Sequence, residues 1–243
     1  MDSYQLVLLQ FLAHLLTDYT FQTDKSAASK NKKGFRSKYL KWHVLIMFVT
    51  SWVLSFQPTF VLGALTIAGT HWVIDGIKPQ LNQNKYLGRH AFFIDQGLHL
   101  SIIGLIVYFY NSYFQLDTLF NIQFNSKYLI LIIAYLFCGK PANILIKEIF
   151  KASRIKFQGM NKEELPNAGR LIGIIERWLV LTFILINQFS AVGFLIAAKS
   201  ILRYRDGEKI FSKTEYVLIG TLLSFGIAIG VGILIGWSIS PDN

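Results

Sequence analysis

His14 and Asp18 stand four residues apart in "AHLLTDYTFQTD", inside a stretch otherwise dominated by apolar residues. On a helix, positions i and i+4 project from one face, so both side chains can reach a single ligand. The spacing returns as His71 and Asp75 in "THWVIDGIKPQ" and, reversed, as Asp95 and His99 in "IDQGLHL". Imidazole nitrogen with carboxylate oxygen suits zinc, manganese or iron better than magnesium or calcium. His14, Asp18, His43, His71, Asp75, Asp95 and His99 together exceed one tetrahedral set, which leaves room for one or two divalent transition-metal ions, zinc being favoured. The alternative is an interhelical hydrogen-bond network that pins a bundle without metal. Three pairs plus His43 weigh the balance toward metal.

These residues must be carried by elements that are themselves apolar. Of 243 residues, 53% are hydrophobic and only 16% are charged. Runs near the 17–25 residues that a bilayer-spanning helix needs occur at about 3–22, 41–57, 58–77, 90–111, 127–150, 170–188, 190–205 and 215–239. The expected fold is an all-α polytopic membrane bundle, residues 1–243 forming one transmembrane domain of about eight helices, with seven as the alternative count. The first run has no basic n-region or small-residue cleavage site and reads as a retained span. The single cysteine, Cys138, excludes an internal disulfide and a cysteine-based metal cluster.

A net charge of +10 sorts into alternate loops. Lys25, Lys30, Lys32, Lys33, Arg36, Lys38 and Lys41 precede the second run. Lys78, Lys85 and Arg89 follow the third, and Lys151, Arg154, Lys156, Lys162 and Arg170 follow the fifth. Arg205, Lys209 and Lys213 follow the seventh. The positive-inside rule then expects these loops in the cytoplasm and both termini outside. The charge is read as topology, and nucleic acid is disfavoured because no aromatic-interleaved basic motif accompanies it. The lipid bilayer is the expected partner; oligomeric state is left open.

Position 14 to 71 and position 18 to 75 are both intervals of 57, and His43 to His99 is 56. Residues 1–57 and 58–111 therefore read as repeated His/Asp hairpins, two spans each, which keeps both copies in one orientation as a parallel repeat. Residues 127–239 form the C-terminal helices. An ionisable group costs roughly 2.5–3.5 kcal/mol at mid-span, so these seven must face one another, water or an ion. The expected topology brings all of them to one depth near the cytosol.

A second polar set lies downstream. "CGKPANILIK" puts Lys140 and Asn143 in mid-run, beside a helix-breaking Pro141; "GRLIGIIERWL" supplies Glu176 and Arg177; "AAKSILRYR" supplies Lys199 and Arg203. One reading pairs Glu176 with Lys199 or Lys140 and leaves Arg170, Arg177 and Arg203 snorkelling to headgroups. The other is a cationic wall that binds an anionic substrate such as a phosphate ester.

"AHLLTDYTFQTDK", "THWVIDGIKPQ", "FFIDQGLHL", "GKPAN" and "GRLIGIIERWLVLTFILINQFSAVGFLIAAKSILR" together resemble a bacterial membrane family known as domain of unknown function 3307. The resemblance extends over nearly the whole chain, with the C-terminal stretch as its most specific part. It implies a bacterial inner-membrane protein and no particular activity. More distantly, H-x3-D at the inner end of a span is similar to the motif of membrane-bound metal-dependent hydrolases, and to the His/Asp zinc ligands of zinc phospholipase C and related single-strand nucleases.

The expected function is therefore a metal-dependent hydrolase of the phosphoesterase class, acting on a lipid-linked or otherwise phosphorylated substrate. The seven His/Asp residues would hold metal, Asp95 would double as general base, and Lys140, Asn143, Glu176, Arg177, Lys199 and Arg203 would form the anion-binding wall. The competing expectations are an ion or proton-coupled transporter and a non-catalytic scaffold. The outer halves of the runs carry few polar residues, which favours the enzyme over the transporter.

Overall fold

The computed structural model describes residues 2–114, 125–155, 168–204 and 211–239, the side chains of 202–214 and 239 excepted. Lys156, Lys162, Arg205 and Lys209 lie outside the described residues. The protein is all-α. Its helices are α1 (Ser3–Leu15), α2 (Asp24–Lys33), α3 (Lys38–Ser55), α4 (Val61–Gln83), α5 (Ala91–Tyr113), α6 (Ser126–Phe137), α7 (Lys140–Ala152), α8 (Ala168–Leu185), α9 (Phe189–Tyr204) and α10 (Phe211–Ile239). Pro58–Gln83, Ala91–Tyr113 and Glu215–Ser238 are long and apolar enough to cross a membrane; α6 and α7, bent by 49° at their junction, add a fourth if they act as one span. Large apolar side chains such as Leu45, Val49 and Val53 stand exposed at i, i+4 and i+8 along α3, the pattern of a face that meets lipid.

The chain divides into two compact units, residues 1–133 and 134–243. In the first, α1 packs on α3 and α5, α3 on α4, and α4 on α5, which closes a four-helix ring. Leu6, Met47, Phe60, Ala64, Ile67, Ile103, Val107 and Tyr110 fill one level of it. His43 precedes Met47 by four residues, His71 follows Ile67 by four and His99 precedes Ile103 by four. The histidines thus form a polar layer one helical turn beyond the apolar one.

Local sequence explains how α1 delivers its two groups. Asp2 caps the helix by accepting the Gln5 backbone N–H at 2.7 Å, and the Gln5 side chain answers at the Asp2 N–H, a capping box. After Leu15 the backbone loosens into a π turn, Leu16–Thr20, closed by Phe21 N–H donating to the Leu16 carbonyl at 2.8 Å. Asp18 sits in that turn, whereas Asp75 lies in regular α-helix. Such π turns concentrate at functional sites.

The basic stretch after this turn is ordered structure. Thr23 caps α2 through the Ser26 N–H at 3.2 Å, and α2 and residues 34–36 fold back on α4. The close approach needs two glycines: a Cβ on Gly34 would stand 2.3 Å from the Gly76 carbonyl oxygen, and one on Gly76 would strike the Phe35 ring at 2.1 Å. Gly34 also has φ +53°, a region few other residues adopt. This contact places Lys30 against α4.

In the second unit α10 packs on α7 and α8, and α8 on α7 and α9. The chain breaks at Cys138–Gly139, where Pro141 opens the first turn of α7 and needs no helical donor.

Candidate metal centre

The ring of α1, α3, α4 and α5 brings all seven expected ligands together. His14, His43, His71, Asp75, Asp95 and His99 are each at most 5% exposed, and the Asp18 side chain is 8% exposed. At the centre, His43 Nε2 lies 2.9 Å from His71 Nε2, 3.1 Å from Asp18 Oδ1 and 3.4 Å from Asp75 Oδ2. His71 Nε2 lies 3.3 Å from Asp18 Oδ1 and 3.4 Å from Asp75 Oδ2. Ligand atoms about 2.0–2.1 Å from a tetrahedral zinc ion stand about 3.3 Å from one another. Five separations among four donors, drawn from three segments of chain, match that edge.

Protons alone serve this arrangement poorly. Each Nε2 carries at most one hydrogen, so two histidines place at most two hydrogens among five short separations. Asp18 Oδ1 has no well-aligned hydrogen bond despite its two imidazole neighbours. Around the centre, His14 Nδ1, Asp75 Oδ1, Asp95 Oδ1 and both ring nitrogens of His99 are buried without a hydrogen-bond partner. A buried polar atom left unpaired costs about 1–3 kcal/mol, and native interiors hold few of them. Three overlapping sets have ligand atoms close enough to share an ion: His14, Asp18 and His71; His43, His71 and Asp75; Asp75, Asp95 and His99. His71 and Asp75 each belong to two. The residues present could hold a metal ion.

Four further residues belong to the cluster and were not expected there. Lys30 Nζ donates to Asp75 Oδ2 at 2.5 Å, and Lys78 Nζ donates to Asp95 Oδ2 at 2.7 Å. Gln96 donates to Asp95 Oδ2 at 3.0 Å; its Oε1 accepts from Tyr19 Oη at 2.9 Å and lies 3.2 Å from His14 Nε2. The sequence counts Lys30 and Lys78 as loop charges; this is corrected, since Lys30 is 3% exposed and the Lys78 side chain 13%. Lys78 had a signal, being seven positions after His71 and three after Asp75 on one helix face. Lys30 had none, because only the Gly34–Gly76 contact brings it in.

The downstream residues form a separate constellation within the second unit. A cavity of about 350 Å³ is lined by Asn143, Glu176, Arg177, Lys199 and Ser224 among others. Lys199 pairs with Glu176, as one of the two readings expects. Arg177 does not snorkel, which corrects that reading: it is 1% exposed. Its Nε donates to the Cys138 carbonyl at 2.7 Å; Nη2 donates to the Gly139 carbonyl at 3.3 Å and to Asn143 Oδ1 at 2.6 Å; Nη1 donates to Ser224 Oγ at 2.9 Å. The guanidinium thus serves the carbonyls set free by the break before Pro141, and Trp178 Nε1 does the same for the Tyr135 carbonyl at 2.9 Å. Lys140 begins α7 and does not line the cavity; the side chain of Arg203 lies outside the described residues.

Residues 6–135 match the family described as protein of unknown function (DUF3307). The chain belongs to the DUF3307 family. The match takes in every His and Asp residue of the cluster and ends before "GKPAN" and "GRLIGIIERWL", so the C-terminal stretch expected to be its most specific part lies outside it. No curated protein and no solved structure matches the chain.

Proposed function

We propose that this DUF3307 protein is a membrane-embedded, metal-dependent hydrolase of the phosphoesterase class. The observation that carries the reading is the spacing of His43 Nε2, His71 Nε2, Asp18 Oδ1 and Asp75 Oδ2, five of whose separations fall between 2.9 and 3.4 Å. Asp75, Asp95 and His99, or His14, Asp18 and His71, supply a donor set for a second ion. Zinc is the favoured occupant, with manganese or iron as the alternatives. A bound divalent metal supplies Lewis acidity and lowers the pKa of a coordinated water.

The chain's own residues complete the chemistry. Lys78 and Gln96 hold Asp95 Oδ2, which fixes the carboxylate and leaves Oδ1 to accept a proton. Lys30 and Lys78 offset two of the three carboxylates, which lowers the repulsion that an anionic phosphoester would meet. The remaining hydrogen-bond-only reading has to leave both nitrogens of His99 unpaired in a buried site.

The membrane reading has eight spans, the first four as two parallel His/Asp hairpins, in the bacterial inner membrane. The exposed Lys25, Lys32, Lys33 and Lys85 mark the cytoplasmic side and the termini lie outside. Labelling of a cysteine placed at position 32 or 85 by an impermeant reagent in intact cells would contradict it.

The decisive experiment is metal analysis of the detergent-purified protein together with turnover of p-nitrophenyl phosphate and bis(p-nitrophenyl) phosphate. Near-stoichiometric zinc, manganese or iron with turnover that Asp95→Asn abolishes supports the enzyme. A metal-free, inactive native protein refutes it. An ion or proton-coupled transporter is the second reading: Lys30 and Lys78 pair with Asp75 and Asp95, so an entering cation would exchange with an ammonium group, as a carrier site requires. Metal-dependent uptake into proteoliposomes without phosphoester turnover would select it.

A further inference from the structure

The second unit holds a buried guanidinium that, among the described residues, no carboxylate pairs with directly. Arg177 makes four hydrogen bonds, all to neutral acceptors. The carboxylate next to it in sequence, Glu176, is engaged by Lys199. Among the described residues of the cavity wall, Arg177 and Lys199 are cationic and Glu176 is anionic. A buried charge with no direct counter-charge is costly, and an anion in the cavity would offset that cost.

Donors remain open for that anion. A guanidinium has five N–H groups and four are used, which leaves one on Nη1. Asn143 gives its Oδ1 to Arg177, and its Nδ2 is buried without a partner. Gly173 keeps the guanidinium clear, since a Cβ there would stand 3.3 Å from Nη1. The rest of the wall is mixed, with Ile146, Ile172 and Val217 on three helices beside the hydroxyl-bearing Tyr216, Thr221 and Ser224. The volume of about 350 Å³ lies at the lower end of the range of ligand pockets, about 300–1,000 Å³.

We propose that this cavity binds the phosphodiester headgroup of a singly charged anionic lipid, with Arg177 and Asn143 donating to the phosphate and the apolar residues of the wall taking the start of an acyl chain. The single net charge selects a monoanion, and the mixed wall selects an amphiphile over a free ion. The inference does not rest on the metal centre.

The test measures the thermal stability and native mass spectrum of the detergent-purified full chain with added lipid. Phosphatidylglycerol should bind one per chain and raise the melting temperature, about ten-fold more tightly than phosphatidylcholine, and millimolar inorganic phosphate should not displace it. Equal binding of the two lipids, or displacement by phosphate, overturns the proposal. Arg177→Lys should weaken the preference by removing the planar fork. Gly169→Leu is the control for folding, because Gly169 lines the cavity and a Cβ there meets nothing within 4 Å. It should keep the lipid-free melting temperature and lose the preference for phosphatidylglycerol. Retention of the preference in Gly169→Leu overturns the proposal whatever Arg177→Lys does.

Discussion

The His/Asp cluster and the Arg177 site solve the cost of burying charge in opposite ways. In the cluster, three carboxylates face two lysines and four histidines, so charge is compensated by charge and the unpaired atoms are mostly lone pairs that want a cation. At Arg177, one guanidinium faces carbonyls, an amide and a hydroxyl, and the unpaired groups are N–H donors that want an anion. Burial is nearly equal in the two places, and the sign of what is missing differs. Variants that remove one ligand at a time should therefore separate the sites cleanly.

The largest effect is expected at His71, which belongs to two of the three donor sets. His71→Ala should lower metal content and affinity by more than about ten-fold, since even outer-shell partners are worth 10–100-fold. Arg177→Met should leave metal content unchanged. Metal analysis of both purified variants checks the pair, and equal loss in both would break the distinction between the sites.

Next comes Lys30. Its ammonium and the Asp75 carboxylate are 3% and 1% exposed, and removing one partner of a buried pair costs about 3–5 kcal/mol. Lys30→Met should lose that much stability when chelator-stripped. Zinc should restore most of it, because a cation again faces Asp75. Thermal melts with and without zinc measure the difference. A loss that zinc does not recover would make Lys30 a purely structural partner and count against Asp75 as a ligand.

The two sites were not equally legible in the sequence. The seven His and Asp residues of the cluster lie in apolar runs, six of them paired at helical spacing and His43 alone, and each of those runs is helical. That works because helix geometry turns a spacing of four into a shared face. The role of Arg177 was invisible. Two of its four partners are main-chain carbonyls, which no residue type announces and which are free only because the chain breaks at Gly139. Pro141 marks the break, but nothing in the order of residues says which cation will answer it. Lys30 failed for a related reason: its contact with Asp75 spans 45 positions.

A smaller effect follows from that capping role. Arg177→Met strands the carbonyls of Cys138 and Gly139, at about 1–3 kcal/mol for each group that stays buried and unpaired. The break at Gly139 gives these carbonyls room to turn toward other donors, so the net loss should fall near the low end. Arg177→Lys should recover part of it through a single ammonium. Hydrogen exchange at the start of α7 should rise in Arg177→Met and leave α4 unchanged; an increase at α4 would tie the two sites together.

The smallest effect belongs to Glu176 and Lys199. They form a direct ion pair, but the Lys199 side chain is 27% exposed and that of Glu176 12%. A sealed pair would lose about 3–5 kcal/mol on removal of either partner; a pair this open to its surroundings behaves nearer the surface limit, about 1 kcal/mol or less. Lys199→Met alone should therefore cost little and raise the anionic character of the cavity, since Glu176 is released beside Arg177. Phosphatidylglycerol binding should weaken with it. Adding Glu176→Gln removes the released carboxylate, so the double variant should return both stability and lipid preference toward the native values, and the cycle should show coupling in binding greater than in stability. Coupling confined to stability would mean that the pair holds helices together and takes no part in setting the charge of the cavity.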